Sequence, residues 1–182
     1  MYSLYSLTEK LYEPNLENVK EYVISKVSEI YSKAFKIPVE ELKAYLKKIP
    51  VYVKDLGKSF GGTILGAYSF LTDGINIYNR KIEISPIVLS NPYLLIRTLA
   101  EEYAHAVQSY LGFIKRIPYY FFNFFRKITN IFDYLTHPLE REAKFVAKKV
   151  LDSTKQNSEK LVYNKPKSFL EKIKDYLKKL YE

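Results

Sequence analysis

The segment Thr98-Leu99-Ala100-Glu101-Glu102-Tyr103-Ala104-His105-Ala106-Val107-Gln108-Ser109 sits in the middle of a run with helical periodicity. Projected on a wheel, residues 92–113 divide into two halves. Leu95, Ile96, Leu99, Tyr103, Ala106, Val107 and Tyr110 fall on one, and Arg97, Thr98, Glu101, Glu102, His105, Gln108 and Ser109 on the other. A polar half of this kind is ordinarily the solvated side of a surface helix, with Arg97 and Glu101 as a four-apart ion pair. Here it contains no lysine in a chain with 29 Lys and Arg, and it gathers side chains that bind metals and carry protons. Glu101 and His105, four apart, share one face and can reach toward one point.

Working outward from this helix, Ser90-Asn91-Pro92 is a start signal: a capping side chain precedes a proline whose missing N–H costs nothing in the first turn. Before it the texture is alternating. Val51 and Val53 flank Tyr52, Gly61-Gly62 interrupts, and the run from Thr63 to Leu71 is followed by Asp73-Gly74 and then Ile75-Asn76-Ile77-Tyr78. Asp-Gly between two such runs signals a hairpin, because both residues tolerate the positive φ of a primed turn. Ile82 and Ile84 have the opposite parity to Ile75 and Ile77, so a turn or bulge must fall near residues 79–81. A small, mainly antiparallel sheet is expected. Further upstream, Leu16, Val19, Val23, Val27, Ile30 and Ala34 predict a first amphipathic helix behind Pro14 and Asn15. A second, with Val39, Leu42, Leu46 and Ile49 on its buried side, runs from Pro38 to Pro50.

Downstream of the central helix lies a dense aromatic stretch, Tyr119 to Phe125, continuing through Ile128, Ile131 and Phe132 and bracketed by Lys115, Arg116, Arg126 and Lys127. It reads as a helix packed over the polar half of the central one, with a membrane-interface or partner contact as the alternative. His137-Pro138 opens another helix to about Leu151. Residues 152–165 read as a loop, and Phe169, Leu170, Ile173, Leu177 and Leu180 as a final amphipathic helix. Glu142 lies beside Leu139 and Val146 at the border of the buried stripe of the 138–151 helix, where its carboxylate can point inward. The whole, residues 1–182, is expected to be one α+β domain: a core over 50–150 with helical extensions at 1–49 and 152–182.

The order of strand, hairpin, Glu-Glu-x-x-His helix and later helix bearing Glu-x-Glu-Ala resembles the gluzincin branch of the zincin metallopeptidases. In small members of that group a His-Glu-x-x-His helix is followed by a Glu-Ala helix that supplies the third zinc ligand. Ala100 to Gln108 looks like that family's active helix at nearly every position, and residues 61–78 look like the sheet before it. The resemblance implies that His105 is a ligand, Glu142 the third ligand and Glu102 the general base, and it puts Glu101 where the first histidine ligand is missing. Two imidazoles and one carboxylate leave a zinc site of net +1; Glu101, His105 and Glu142 would leave it at zero, a poorer Lewis acid. Two carboxylates also shift preference toward harder ions such as Mn²⁺ or Fe²⁺. Zinc, manganese, iron and no metal at all remain open, and the expected activity is that of a degenerate metallopeptidase homologue, weak or absent.

Composition narrows the alternatives. The chain has no cysteine and two histidines, which removes disulfides, thiolate sites and cysteine nucleophiles together. His137, before Pro138, is expected to be structural. A second Glu-x-x-His, which a di-iron carboxylate bundle needs, is lacking. The net charge of +9 suits an anionic partner, so a basic interaction protein binding nucleic acid, an anionic surface or a peptide or protein is the alternative function. No nucleic-acid motif accompanies it. No signal peptide and no run of 18 or so apolar residues is seen, so an intracellular, cytoplasmic protein of unspecified oligomeric state is expected. The abundance of Lys, Glu, Ile and Tyr leans toward a thermophile.

Overall fold

A computed structural model describes residues 16–59, 62–121, 123 and 137–156. The fold is α+β. Helices α1 (Leu16–Phe35) and α2 (Val39–Lys47) lead into a three-stranded sheet of β1 (Val51–Val53), β4 (Gly66–Thr72) and β5 (Ile77–Ile84), with a two-stranded ribbon of β2 (Lys58–Ser59) and β3 (Gly62–Thr63) between β1 and β4. A 3-10 turn, Pro86–Ser90, then delivers the chain to α3 (Pro92–Ser109), a π turn follows at Tyr110–Ile114, and α4 (Pro138–Gln156) completes the described residues.

The local signals explain these boundaries. Asn91 caps α3 by accepting hydrogen bonds from the backbone N–H groups of Tyr93 and Leu94 at 3.0 and 3.1 Å, with Pro92 in the first turn. α1 ends where Lys36 takes a positive φ of 55°, two residues before Pro38. In the β4–β5 hairpin the Asp73 carboxylate accepts from the N–H groups of Ile75 and Asn76 at 2.9 and 2.7 Å, and Gly74 supplies φ +90°. The parity change falls where expected. Ser69 pairs with Lys81 but Leu71 pairs with Tyr78, so β5 carries one extra residue there, with Asn79 at φ 51°.

The sheet is small and mainly antiparallel, as expected, with one parallel pairing. Its order is β1-β5-β4, with β4–β5 antiparallel and the short β1 parallel to β5, Val51 to Val53 opposite Ile82 to Ile84. The reason lies in the connection. Three strands separate β1 from β5, enough chain to return in the same direction, whereas alternation alone carries no information about strand polarity.

The core is continuous. Val23, Ile24, Val27 and Tyr31 of α1, Leu42 and Leu46 of α2, Ile82 and Ile84 of β5, and the apolar half of α3 enclose it with Leu139, Ala143, Val146, Ala147 and Val150 of α4. α3 is its axis, packing against α1, α2, β4, β5 and, most extensively, α4. Both α3 and α4 carry fully buried alanines, Ala100, Ala104 and Ala106 on one and Ala143 and Ala147 on the other, which lets their backbones approach. Among the described residues no helix is long and apolar enough to cross a membrane. The loop expected over 152–165 is helical as far as Gln156, because Val150 and Thr154 continue the buried side of α4; its remainder, the final helix expected over 169–180 and most of the aromatic stretch lie outside the described residues. Of that stretch, Tyr120 is buried, while Tyr119 and Phe121 are exposed.

Candidate metal site

Apart from the exposed Arg97, the polar half of α3 is largely removed from solvent. Thr98, Glu102, Gln108 and Ser109 are buried, and Glu101 and His105 are half-buried, because β4 covers one edge of this face and α4 the other. The strand comes very close. A Cβ at Gly66 would stand 2.6 Å from Thr98 Cγ2 and 2.8 Å from Glu102 Oε1, so only glycine lets the β4 backbone lie on the helix at this point.

Glu101, His105 and Glu140 each offer a ligand atom, and these atoms lie within 4.8 Å of one another. Glu101 and His105 are one turn apart on α3; Glu140 enters from the first turn of α4, with its Oε1 3.5 Å from His105 Nε2. Glu140 is completely buried, the most enclosed acidic side chain among the described residues. One imidazole and two carboxylates converging from two helices form a set of hard and intermediate donors that can hold a divalent cation.

The expectation for the third carboxylate is corrected here. Glu142 lies outside this group; it accepts a hydrogen bond of 2.7 Å from the Tyr31 hydroxyl and is 3.4 Å, through each carboxylate oxygen, from the Tyr120 hydroxyl. Two residues apart on a helix means roughly 200° of rotation, so Glu140 and Glu142 cannot serve the same point. Glu140 borders the stripe of Ala143, Ala147, Val150 and Thr154, the side of α4 most deeply buried. Leu139 and Val146, beside Glu142, are buried as well, so both carboxylates flank one buried stripe. Ala143 and Ala147 lie three and seven residues after Glu140, but that spacing does not choose between the two carboxylates.

Glu102 sits beside the group but under the strand. Its carboxyl is pushed up to about 7, first by burial, then by the neighbouring Glu101 and Glu140 charges, against the pull of His105 and a hydrogen bond from the Tyr68 backbone. A carboxyl at that value holds and releases a proton near neutrality. His137, by contrast, is buried at the start of α4, where its Nδ1 accepts the Leu139 N–H at 3.3 Å and its carbonyl accepts the Arg141 N–H at 3.1 Å. It is not a member of the Glu101, His105, Glu140 group.

Gln108 ties the two helices at this point. Its Oε1 lies 2.9 Å from His105 Nδ1, and its Nε2 donates to the Leu139 carbonyl at 2.9 Å. The sequence puts Gln108 on the polar half of the helix, three residues from His105, but its anchor on the other helix is 31 residues away and has no local signal.

No protein-family model, curated protein or solved structure matches this chain.

Proposed function

We propose that this protein is a zincin-like metal-binding protein whose site is Glu101, His105 and Glu140, with Glu102 as the adjacent proton carrier and with peptidase activity weak or absent. The observation that carries the reading is the convergence of the three donors from α3 and α4 within 4.8 Å, beside a buried carboxyl that titrates near 7. Three features of the zincin pattern support it together: a Glu-x-x-His turn on a buried helix, a strand lying across the Glu of that turn, and a carboxylate brought in by a later helix. With Glu140 in place of Glu142 the donor count is unchanged, so two carboxylates and one imidazole balance a divalent charge.

A bound divalent ion would supply Lewis acidity, reduced here by that neutral balance relative to a site with two imidazoles. Harder ions, Mn²⁺ or Fe²⁺, suit the donor set better than zinc. The protein's own groups keep defined roles: Glu101, His105 and Glu140 hold the charge, and Glu102, shielded by β4, moves a proton.

Titration calorimetry of the metal-stripped protein with MnCl₂ and ZnCl₂ tests the reading. One equivalent of Mn²⁺ bound, with loss of binding in His105→Ala, is the expected result; no binding of either ion would overturn it. Glu101→His should tighten Zn²⁺ by about tenfold, about 1.4 kcal/mol, by restoring an imidazole four residues before His105. Unchanged zinc affinity in that variant would count against the zincin ancestry.

A further inference from the structure

Gln108 is a buried amide bonded at both its polar atoms, and its orientation is fixed by an acceptor-only group. The Leu139 carbonyl can only accept, so the Gln108 atom 2.9 Å from it must be the NH₂ group. This turns Oε1 toward His105. An amide oxygen accepts only, and therefore His105 Nδ1, 2.9 Å away, must carry the proton. That leaves Nε2, the nitrogen 3.5 Å from Glu140, as the atom that faces the other donors.

We propose that Gln108 is a positioning residue that locks His105 in the Nδ1–H form and sets the reach between the two helices bearing the site. The same amide that orients the imidazole holds the carbonyl of Leu139, the residue immediately before Glu140. One side chain thus fixes the proton on one donor and the backbone position of another. The consequence for metal affinity rests on the metal reading above; the position of the proton does not.

The test is a long-range ¹H–¹⁵N correlation spectrum of the metal-free protein at alkaline pH, with the His105 signals identified by their loss in His105→Ala. The wild type should show a protonated Nδ1 and an unprotonated Nε2. Gln108→Leu, of similar size but without polar atoms, should give a mixture of the two forms and weaken Mn²⁺ by roughly 10–100-fold, the usual effect of removing a partner behind a metal-binding histidine. Gln108→Glu, which keeps an acceptor for Nδ1–H, should retain the wild-type nitrogen pattern. A wild-type proton on Nε2 would overturn the proposal without any variant, as would an unaltered pattern in folded Gln108→Leu or a mixed one in Gln108→Glu. Failure of the metal reading has a different signature: neither Mn²⁺ nor Zn²⁺ binds, while the nitrogen pattern is as expected.

Discussion

Glu140 and Glu142 stand two residues apart on one helix, and their surroundings are opposite in kind. Glu142 is met by hydroxyl donors, Tyr31 and Tyr120, which stabilise a carboxylate where it stands and need no cation. In turn its charge pushes both phenols well above their ordinary range, after the larger effect of burial. Glu140 is more deeply buried, and its neighbours are Glu101, Glu102 and the Nε2 side of His105. Acceptors packed against acceptors are stable only when a positive charge, a proton or a metal ion, stands among them. Carboxylates on the same helix thus stand in different company: one is held by two phenols, the other shares its place with an imidazole and two further carboxyls.

The widest separation of the two should appear in metal binding. Glu140→Ala is expected to lower Mn²⁺ affinity by about 100-fold or more, about 2.7 kcal/mol. Glu142→Ala, which touches only Tyr31 and Tyr120 and none of the three donors, should lower it roughly tenfold at most. Equal losses in the two variants, measured by calorimetry, would break the comparison.

Proton linkage comes next. The Glu102 carboxyl is raised from 4.5 to about 7 in the folded protein, so the folded state binds this proton more tightly than the unfolded chain. The resulting stability is fully present below pH 4.5 and is lost as pH rises through 7, an effect of about 3 kcal/mol in the metal-free protein. Urea unfolding at pH 5 and pH 8 should reveal that fall, and Glu102→Gln, neutral at both, should remove most of it. A wild-type difference as flat as the variant's would contradict the crowding of charge around Glu140.

On the Glu142 side, Tyr31→Phe deletes the 2.7 Å hydrogen bond to a carboxylate and should cost about 2 kcal/mol of unfolding free energy. The Leu139 carbonyl still orients Gln108 in that variant, so His105 should keep its Nδ1 proton. A tautomer change in Tyr31→Phe, seen by the same nitrogen spectrum, would merge the two regions into one cooperative unit and sharpen their relation accordingly.

Much of the architecture was legible from local pattern. α1, α2, α3 and α4 follow apolar spacing bounded by proline and a capping asparagine, and the β4–β5 hairpin follows Asp73-Gly74. The bulge at residues 79–80 was implied by the parity of four isoleucines. Gly66 carried a weaker signal, a lone glycine within an alternating run, whose meaning as a contact with Thr98 and Glu102 needs the strand laid on the helix. The parallel pairing of β1 had no signal at all, since hydrophobic alternation is blind to chain direction.

The site divides along the same line. Glu101, Glu102 and His105 were determined by the sequence itself, because helical geometry places residues three and four apart on one face wherever the helix is formed. Only the tertiary structure decided that Glu140 rather than Glu142 joins them, that β4 buries Glu102, and that Gln108 is anchored to the Leu139 carbonyl. Each of these depends on the rotation of one element against another, and that rotation is set by the packing of alanines, glycine and the core around α3, which no spacing along the chain encodes.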